Sequence, residues 1–292
     1  MLLKKLIETG TETVSPLYPE SEAREMVFIL LEHILGTKRH THIIEPAYEV
    51  GEEQAQEVMQ AFLRLAGGEP LQYVTGTACF YGRDFHVTPS VLIPRPETEI
   101  LCRTASEHLS AATSVLDLCT GSGCIAWTMA LECPGAAVTA VDISEEALSV
   151  ARSQDFAEEM TRTGATAPTF LKADILDGES GLSSLYGSGV RFDLILSNPP
   201  YVMDKEKALM RPNVLEHEPH LALFVPDEDP LVFYRAVAYW ADRLLSPGGT
   251  GIVEINEALG PETAQVFKDT GFSSAEIVKD FSERDRFVVF RR

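Results

Sequence analysis

No apolar run in this sequence exceeds six residues; the longest are Met26 to Leu31 and Ala236 to Ala241. A membrane-spanning helix needs about 20, so no membrane partner is expected. The opening segment MLLKKLIETG lacks the apolar stretch of a secretory signal. Basic runs are missing as well. No Lys/Arg run is longer than two, and 24 Lys plus Arg face 44 Asp plus Glu, a net charge of −20. Sequence-independent nucleic-acid binding depends on cations that neutralise phosphates, so no direct nucleic-acid partner is expected either. Cysteine is scarce: Cys79, Cys102, Cys119, Cys124 and Cys133 form an odd set with no C-x-x-C pair. That pattern suggests neither a disulfide framework nor a zinc ribbon, and it fits a reducing, cytoplasmic compartment. His33, His40 and His42 match no metal-site spacing and have no thiol nearby in the sequence, so no metal is expected.

What is present is ordinary globular material. The chain has 292 residues, 45% hydrophobic and 23% charged, enough to bury a core without disulfides or metal. Residues 1–75 read as helices. Pro19 can open one at its first turn; Ala23, Met26, Val27, Leu30, Leu31 and Ile34 follow at 3–4 spacing, and Gly36 offers the stop. Ala55, Val58, Met59, Phe62 and Leu65 share the face of a second helix that ends at Gly67-Gly68. These faces need each other, which predicts a small helical bundle. Residues 76–93 change character: aromatic and β-branched residues surround Tyr81-Gly82-Arg83-Asp84, a hairpin pattern read as a connector.

Residues 94–292 alternate strand and helix. Apolar runs at Val115–Cys119, Ala137–Val141, Thr169–Ala173, Phe192–Leu196 and Gly251–Ile255 are mostly separated by helical segments, Gly123–Glu132, Glu145–Met160 and Pro230–Leu245. Asp229 reads as the N-cap of the last, with Pro247-Gly248-Gly249 as its end. Two further runs, Ala275–Val278 and Arg286–Phe290, are too close for a crossover helix and should pair antiparallel. The pattern predicts an α/β fold, a doubly wound and mostly parallel seven-stranded sheet.

Three motifs carry chemistry. The strand Val115–Leu118 runs into the turn Cys119-Thr120-Gly121-Ser122-Gly123 at a helix start, where glycines let a ligand approach and free N–H groups wait. The next strand ends in Asp142, 21 residues after Gly121, placed beside that turn to grip a ribose diol. Asp174 ends the third strand and fits an adenine-edge or helix-cap role. The third motif, Asn198-Pro199-Pro200-Tyr201, follows the strand Phe192–Ser197. Two prolines force the chain out of the sheet and stiffen the turn. The Asn198 side-chain carbonyl and the Pro199 backbone carbonyl are then two acceptors suited to a planar –NH2 group, and Tyr201 can supply a ring against a flat amide or base.

The turn from Asp117 to Gly123 resembles the nucleoside-binding turn of S-adenosylmethionine-dependent methyltransferases. Asn198-Pro199-Pro200-Tyr201 resembles the signature of enzymes that methylate adenine N6, cytosine N4 or the glutamine side-chain amide. Together with Gly68-Glu69-Pro70-Leu71-Gln72-Tyr73, Thr75-Gly76, Leu92-Ile93-Pro94-Arg95-Pro96-Glu97-Thr98-Glu99 and Arg286-Phe287, the chain is similar to the protein-(glutamine-N5) methyltransferases that modify peptide chain release factors. The resemblance implies a class I methyltransferase fold over residues 94–292, a substrate-recognition role for 1–75, and class-1 release factors as protein substrate, methylated at the glutamine of their Gly-Gly-Gln motif. It implies S-adenosylmethionine as cofactor and S-adenosylhomocysteine as product, held by Cys119, Thr120, Gly121, Ser122, Gly123, Asp142, Asp174, Ile175 and Asn198. Asn198, Pro199, Pro200 and Tyr201 would be catalytic. Cys119 stands where glycine is frequent, and Ile175 where an aromatic often faces adenine. The alternative is a nucleic-acid amino-methyltransferase acting on adenine N6; a non-catalytic cofactor-binding protein is the third class.

Overall fold

The computed structural model describes residues 1–181, 183 and 189–292, which divide into two units: Met1–Thr77 with Arg211–His217, and Ala78–Met210 with Glu218–Arg292. The first unit is helical: α1 Leu3–Val14, α2 Glu20–Leu35, α3 Thr41–Ile44, α4 Glu52–Ala66 and α5 Leu71–Thr75, with a short helix at Pro212–His217. Pro19 precedes α2, and Gly36 ends it in the left-handed region (φ 66°), its N–H on the Glu32 carbonyl at 2.9 Å. Leu6, Val27, Leu30, Val58, Phe62 and Leu65 are fully buried where α1, α2 and α4 meet. α1 lies within the stretch read as helical and carries Gly10 in its middle, a residue that costs helix stability. Its reason is packing: a β-carbon on Gly10 would lie in the Phe62 ring.

The second unit takes in all but the first residue of a hairpin, β1 Thr77–Phe80 and β2 Arg83–His86. Tyr81 (φ 50°) and Gly82 (φ 73°) make its turn with the positive dihedrals a two-residue hairpin prefers. Phe80 and Phe85 are wholly buried, and Phe85 meets Phe156 edge-on at 5.1 Å. The hairpin therefore packs as part of the second unit's core.

Behind it come α6 Thr98–Ser106, β3 Ser114–Leu118, α7 Cys124–Glu132, β4 Ala137–Asp142, α8 Glu145–Arg152, α9 Ala157–Thr163, β5 Thr169–Lys172, β6 Phe192–Ser197, β7 Val202–Met203, β8 Phe224–Val225, α10 Val232–Leu244, β9 Leu245–Glu254, α11 Gly260–Thr270, β10 Ser274–Lys279 and β11 Asp285–Arg291. Seven strands form one sheet in the order β10-β11-β9-β6-β3-β4-β5, parallel except that β11 runs against both neighbours. Apolar side chains fill both faces. The order reverses direction between β3 and β6, and such a switch point leaves a crevice beyond the strand C-termini.

Three boundaries differ from expectation. The helix expected over Glu145–Met160 is broken at 153–156, because Gln154 turns inward. It accepts from the His86 N–H (2.8 Å) and donates to the His86 and Ser122 carbonyls (2.9 and 3.1 Å). Asp229 does not cap α10; its carboxylate holds Arg235 at 2.5–2.7 Å. Pro247–Gly249 do not end that helix either. They lie within β9, where the pairing slips from Phe192↔Leu245 to Leu194↔Thr250.

Candidate active site

Register brings the three motifs together. Leu118 pairs with Val141 on one side and Ser197 on the other, so the turn after β3, Asp142 at the end of β4 and Asn198 after β6 lie side by side. Cys119 (φ 62°) and Gly121 (φ 54°) are both left-handed. This is the conformation glycine favours, which accounts for a glycine being the frequent residue where Cys119 stands. A β-carbon on Gly121 would meet nothing within 4 Å, whereas one on Gly123 would press on Ala151, Trp127 and Phe170 at 3.0–3.3 Å. Gly121 keeps open space beside the turn; Gly123 lets α7 pack close.

A cavity of about 340 Å³ lies here. Of the expected site residues, Cys119, Thr120, Gly121, Ser122, Asp142, Asp174, Ile175, Asn198 and Pro200 line it. Gly123, Pro199 and Tyr201 do not line it. Gly123 faces the packing side, Pro199 is buried, and the Tyr201 ring turns into the core with its hydroxyl donating to Glu254 Oε1 at 3.0 Å. Asp174 serves as a cap, accepting from the Leu176 N–H at 2.8 Å. Among the described residues, no group of three His, Cys, Asp or Glu side chains is placed to hold a metal ion.

Asp142 accepts from the Gly121 N–H through Oδ2 (2.8 Å) and from the Ser144 N–H through Oδ1 (3.0 Å). Burial raises its pKa and these backbone bonds oppose the rise. A carboxylate has about four lone-pair sites, and these bonds leave part of that capacity for a diol. The open side of Gly121 and the apolar Ile143, Ile175 and Leu176 in the lining give the flat part of a nucleoside a surface. The residues present thus fit a nucleoside cofactor. Asp117 lies deeper, fully buried, its Oδ2 accepting from Thr120 Oγ1 at 2.5 Å. Burial pushes its carboxyl up to about 7, with the Thr120 hydroxyl bond opposing.

Residues 6–76 match the family model described as PrmC N-terminal domain, and residues 96–217 match the Methyltransferase small domain. A Release factor glutamine methyltransferase of Bacteroides thetaiotaomicron is 37% identical over 281 residues, 96% of this chain and 97% of that one. The chain belongs to the release factor glutamine methyltransferase family. The relative of the same name from Flavobacterium psychrophilum is 36% identical over 293 residues, 99% of this chain and 98% of its own. A Thermus thermophilus 16S rRNA N2 G1207 methyltransferase, solved with AdoMet and guanosine, has a TM-score of 0.50 at 19% identity, covering 74% of this chain and 49% of that one. That likeness shows the fold, the class I methyltransferase sheet.

In this methyltransferase the motif residues are held by partners that sequence reasoning did not single out. Asn198 Nδ2 donates to Thr98 Oγ1 at 3.1 Å, and Thr98 Oγ1 donates to Glu254 Oε2 at 2.7 Å. Asn256 Nδ2 donates to the Tyr201 carbonyl at 3.1 Å. Ser197 Oγ donates to the Leu118 carbonyl at 2.8 Å. Arg95 donates to Glu218 Oε1 at 2.6 Å, and the Ile93 N–H donates to Oε2 of the same carboxylate at 3.1 Å, which fixes the Ile93-Pro94-Arg95 segment along the cavity. Thr98 and Arg95 stood in the sequence only as parts of a family block. Glu254 carried a signal that went unused: an acid inside the apolar run Gly251–Ile255, as Asp117 sits inside Val115–Cys119.

Proposed function

We propose that this chain methylates the side-chain amide nitrogen of a glutamine in peptide chain release factors, the glutamine of their Gly-Gly-Gln motif, using S-adenosylmethionine. The observation that carries the reading is the state of Asn198. Its NH2 is committed to Thr98, so the group it offers to a ligand is the carbonyl, an acceptor. An amide –NH2 brings donors, and donor meets acceptor.

When bound, S-adenosylmethionine supplies a methyl group on a sulfonium. Asp142 and the Gly121 turn are the residues to hold its ribose, and Ile175 and Asp174 to meet its base. Asn198 Oδ1 accepts one N–H of the glutamine amide. The Pro199 carbonyl, in the peptide joined to cavity-lining Pro200, is the second acceptor. Both stabilise the positive charge that develops on nitrogen. An amide nitrogen is a weak nucleophile, so positioning is the main source of rate; it supplies up to roughly 7–11 kcal/mol. The proton then leaves to solvent. The helical unit, whose family model is separate from that of the methyltransferase domain, recognises the protein substrate. Five free thiols suit a reducing, cytoplasmic setting.

The test is incubation with tritiated S-adenosylmethionine and, in parallel, release factor, DNA and RNA. Label in release factor alone is the expected result; label in nucleic acid alone overturns the reading.

A further inference from the structure

Glu254 is 1% exposed at the end of β9, and the mechanism above does not use it. Both its oxygens are engaged with the catalytic turn's surroundings: Oε2 accepts from Thr98 Oγ1 at 2.7 Å and Oε1 from the Tyr201 hydroxyl at 3.0 Å. Thr98, itself 2% exposed, in turn accepts from Asn198 Nδ2 at 3.1 Å. Buried polar groups in such a chain have few alternatives to one another.

We propose that Glu254 is a positioning residue that, through the Thr98 hydroxyl, fixes the Asn198 amide in the one orientation that presents its carbonyl to the substrate nitrogen. This deepens the reading of Asn198 as an acceptor and rests on it. The protons available permit one arrangement. An ionised carboxylate only accepts, so the single Thr98 hydroxyl proton goes to Glu254. The Thr98 oxygen is then left with lone pairs and takes a donor. Asn198 has donors only on its nitrogen, so Nδ2 turns to Thr98 and Oδ1 is left for the substrate. With the Thr98 proton directed the other way, the amide reverses and offers –NH2 to an incoming –NH2, donor against donor.

The same carboxylate grips Tyr201, three residues on, so both ends of the Asn-Pro-Pro-Tyr turn are registered on one buried charge. Burial, and to a lesser degree the Glu97 carboxylate, raise the Glu254 pKa; the bonds from Thr98 and Tyr201 and the nearby Arg286 guanidinium oppose that rise.

Thr98→Val keeps the shape of the side chain and removes the hydroxyl; Thr98→Ser keeps the hydroxyl. For both and for the wild type, the measurements are kcat and KM with release factor, and titration with S-adenosylhomocysteine, whose stoichiometry counts folded sites. Thr98→Val is expected to lose kcat per folded site by about 10-fold to 10²-fold. Its KM and its affinity for S-adenosylhomocysteine should stay within about twofold of wild type. Thr98→Ser should restore most of the turnover. Equal kcat per folded site in Thr98→Val and Thr98→Ser would overturn the positioning role. Glu254→Met, which removes both acceptor oxygens while keeping the length of the side chain, should lower kcat per folded site in the same way; normal turnover per folded site there also overturns it. Failure of the wild type to label glutamine is a different result, which removes the underlying reading instead.

Discussion

Replacing Asp142 by alanine separates the turn-stapling job of one carboxylate from the cofactor-binding job proposed for it. Without ligand it staples the cofactor turn, accepting from the Gly121 and Ser144 N–H groups at 2.8 and 3.0 Å. The proposed second job, with ligand bound, is to take ribose hydroxyls on its remaining lone pairs. Hydrogen bonds to a charged group are worth about 1.5–3 kcal/mol. Asp142→Ala should therefore weaken S-adenosylhomocysteine binding by about 10-fold to 150-fold. Losing the staple costs folding stability too. Two N–H groups beside the cavity lose their acceptor, worth about 1 kcal/mol each because water can replace it. Calorimetric titration at a temperature below both unfolding transitions gives the first quantity, and thermal unfolding without ligand gives the second. Asp142→Asn keeps one acceptor oxygen and should fall between. A lowered Tm with unchanged affinity would refute the ribose assignment and leave Asp142 as a turn staple only.

Asp117 gives a pH signature. Its folded-state carboxyl is pushed up to about 7 by burial, above its unfolded value. The folded protein thus keeps a proton that the unfolded chain has released, and stability falls as pH rises through that window, by up to about 4 kcal/mol. Asp117→Asn should flatten this slope in denaturant midpoints taken near about pH 5 and about pH 8; an unchanged slope would contradict it. Gly251→Ala should destabilise by about 1–3 kcal/mol, since the added methyl would enter the Phe290 ring; urea unfolding with an unchanged m-value checks this. A chain starting at Ala78, which keeps Phe80 and Phe85 in their core, should bind S-adenosylhomocysteine as the full chain does and lose methylation of release factor. Normal methylation by that folded fragment would remove the recognition role of the helical unit.

The sheet and the grouping of the candidate site's residues were legible where local sequence pattern decides the structure. Strand runs ending in Asp142 and Asn198 fix which residues emerge at the crevice, because parallel pairing aligns the ends of β3, β4 and β6. The stops of α2 and the hairpin turn were legible because Gly36 and Gly82 hold backbone conformations that few other residues adopt. What stayed hidden depended on contacts distant in sequence. Gly10 is explained only by Phe62, the break after α8 only by Gln154 reaching His86 and Ser122. Thr98 and Glu254 are 156 positions apart, and no spacing rule joins them. The ring role foreseen for Tyr201 failed to anticipate that a half-buried phenol beside a buried carboxylate bonds to it; Tyr201 donates to Glu254.

The central claim is that the Asn198 carbonyl holds a glutamine amide for methylation, and one measurement addresses it most directly. Release factor incubated with S-adenosylmethionine and either wild type or Asn198→Ala is digested, and the fragments are sequenced by mass spectrometry over time. The account predicts a single methyl group on one glutamine side chain with the wild type. It predicts the same product formed about 10²-fold more slowly by Asn198→Ala, about 2.7 kcal/mol of lost transition-state stabilisation, with S-adenosylhomocysteine affinity nearly unchanged. Near-normal turnover by Asn198→Ala, or a methyl group on any residue other than glutamine, would contradict it.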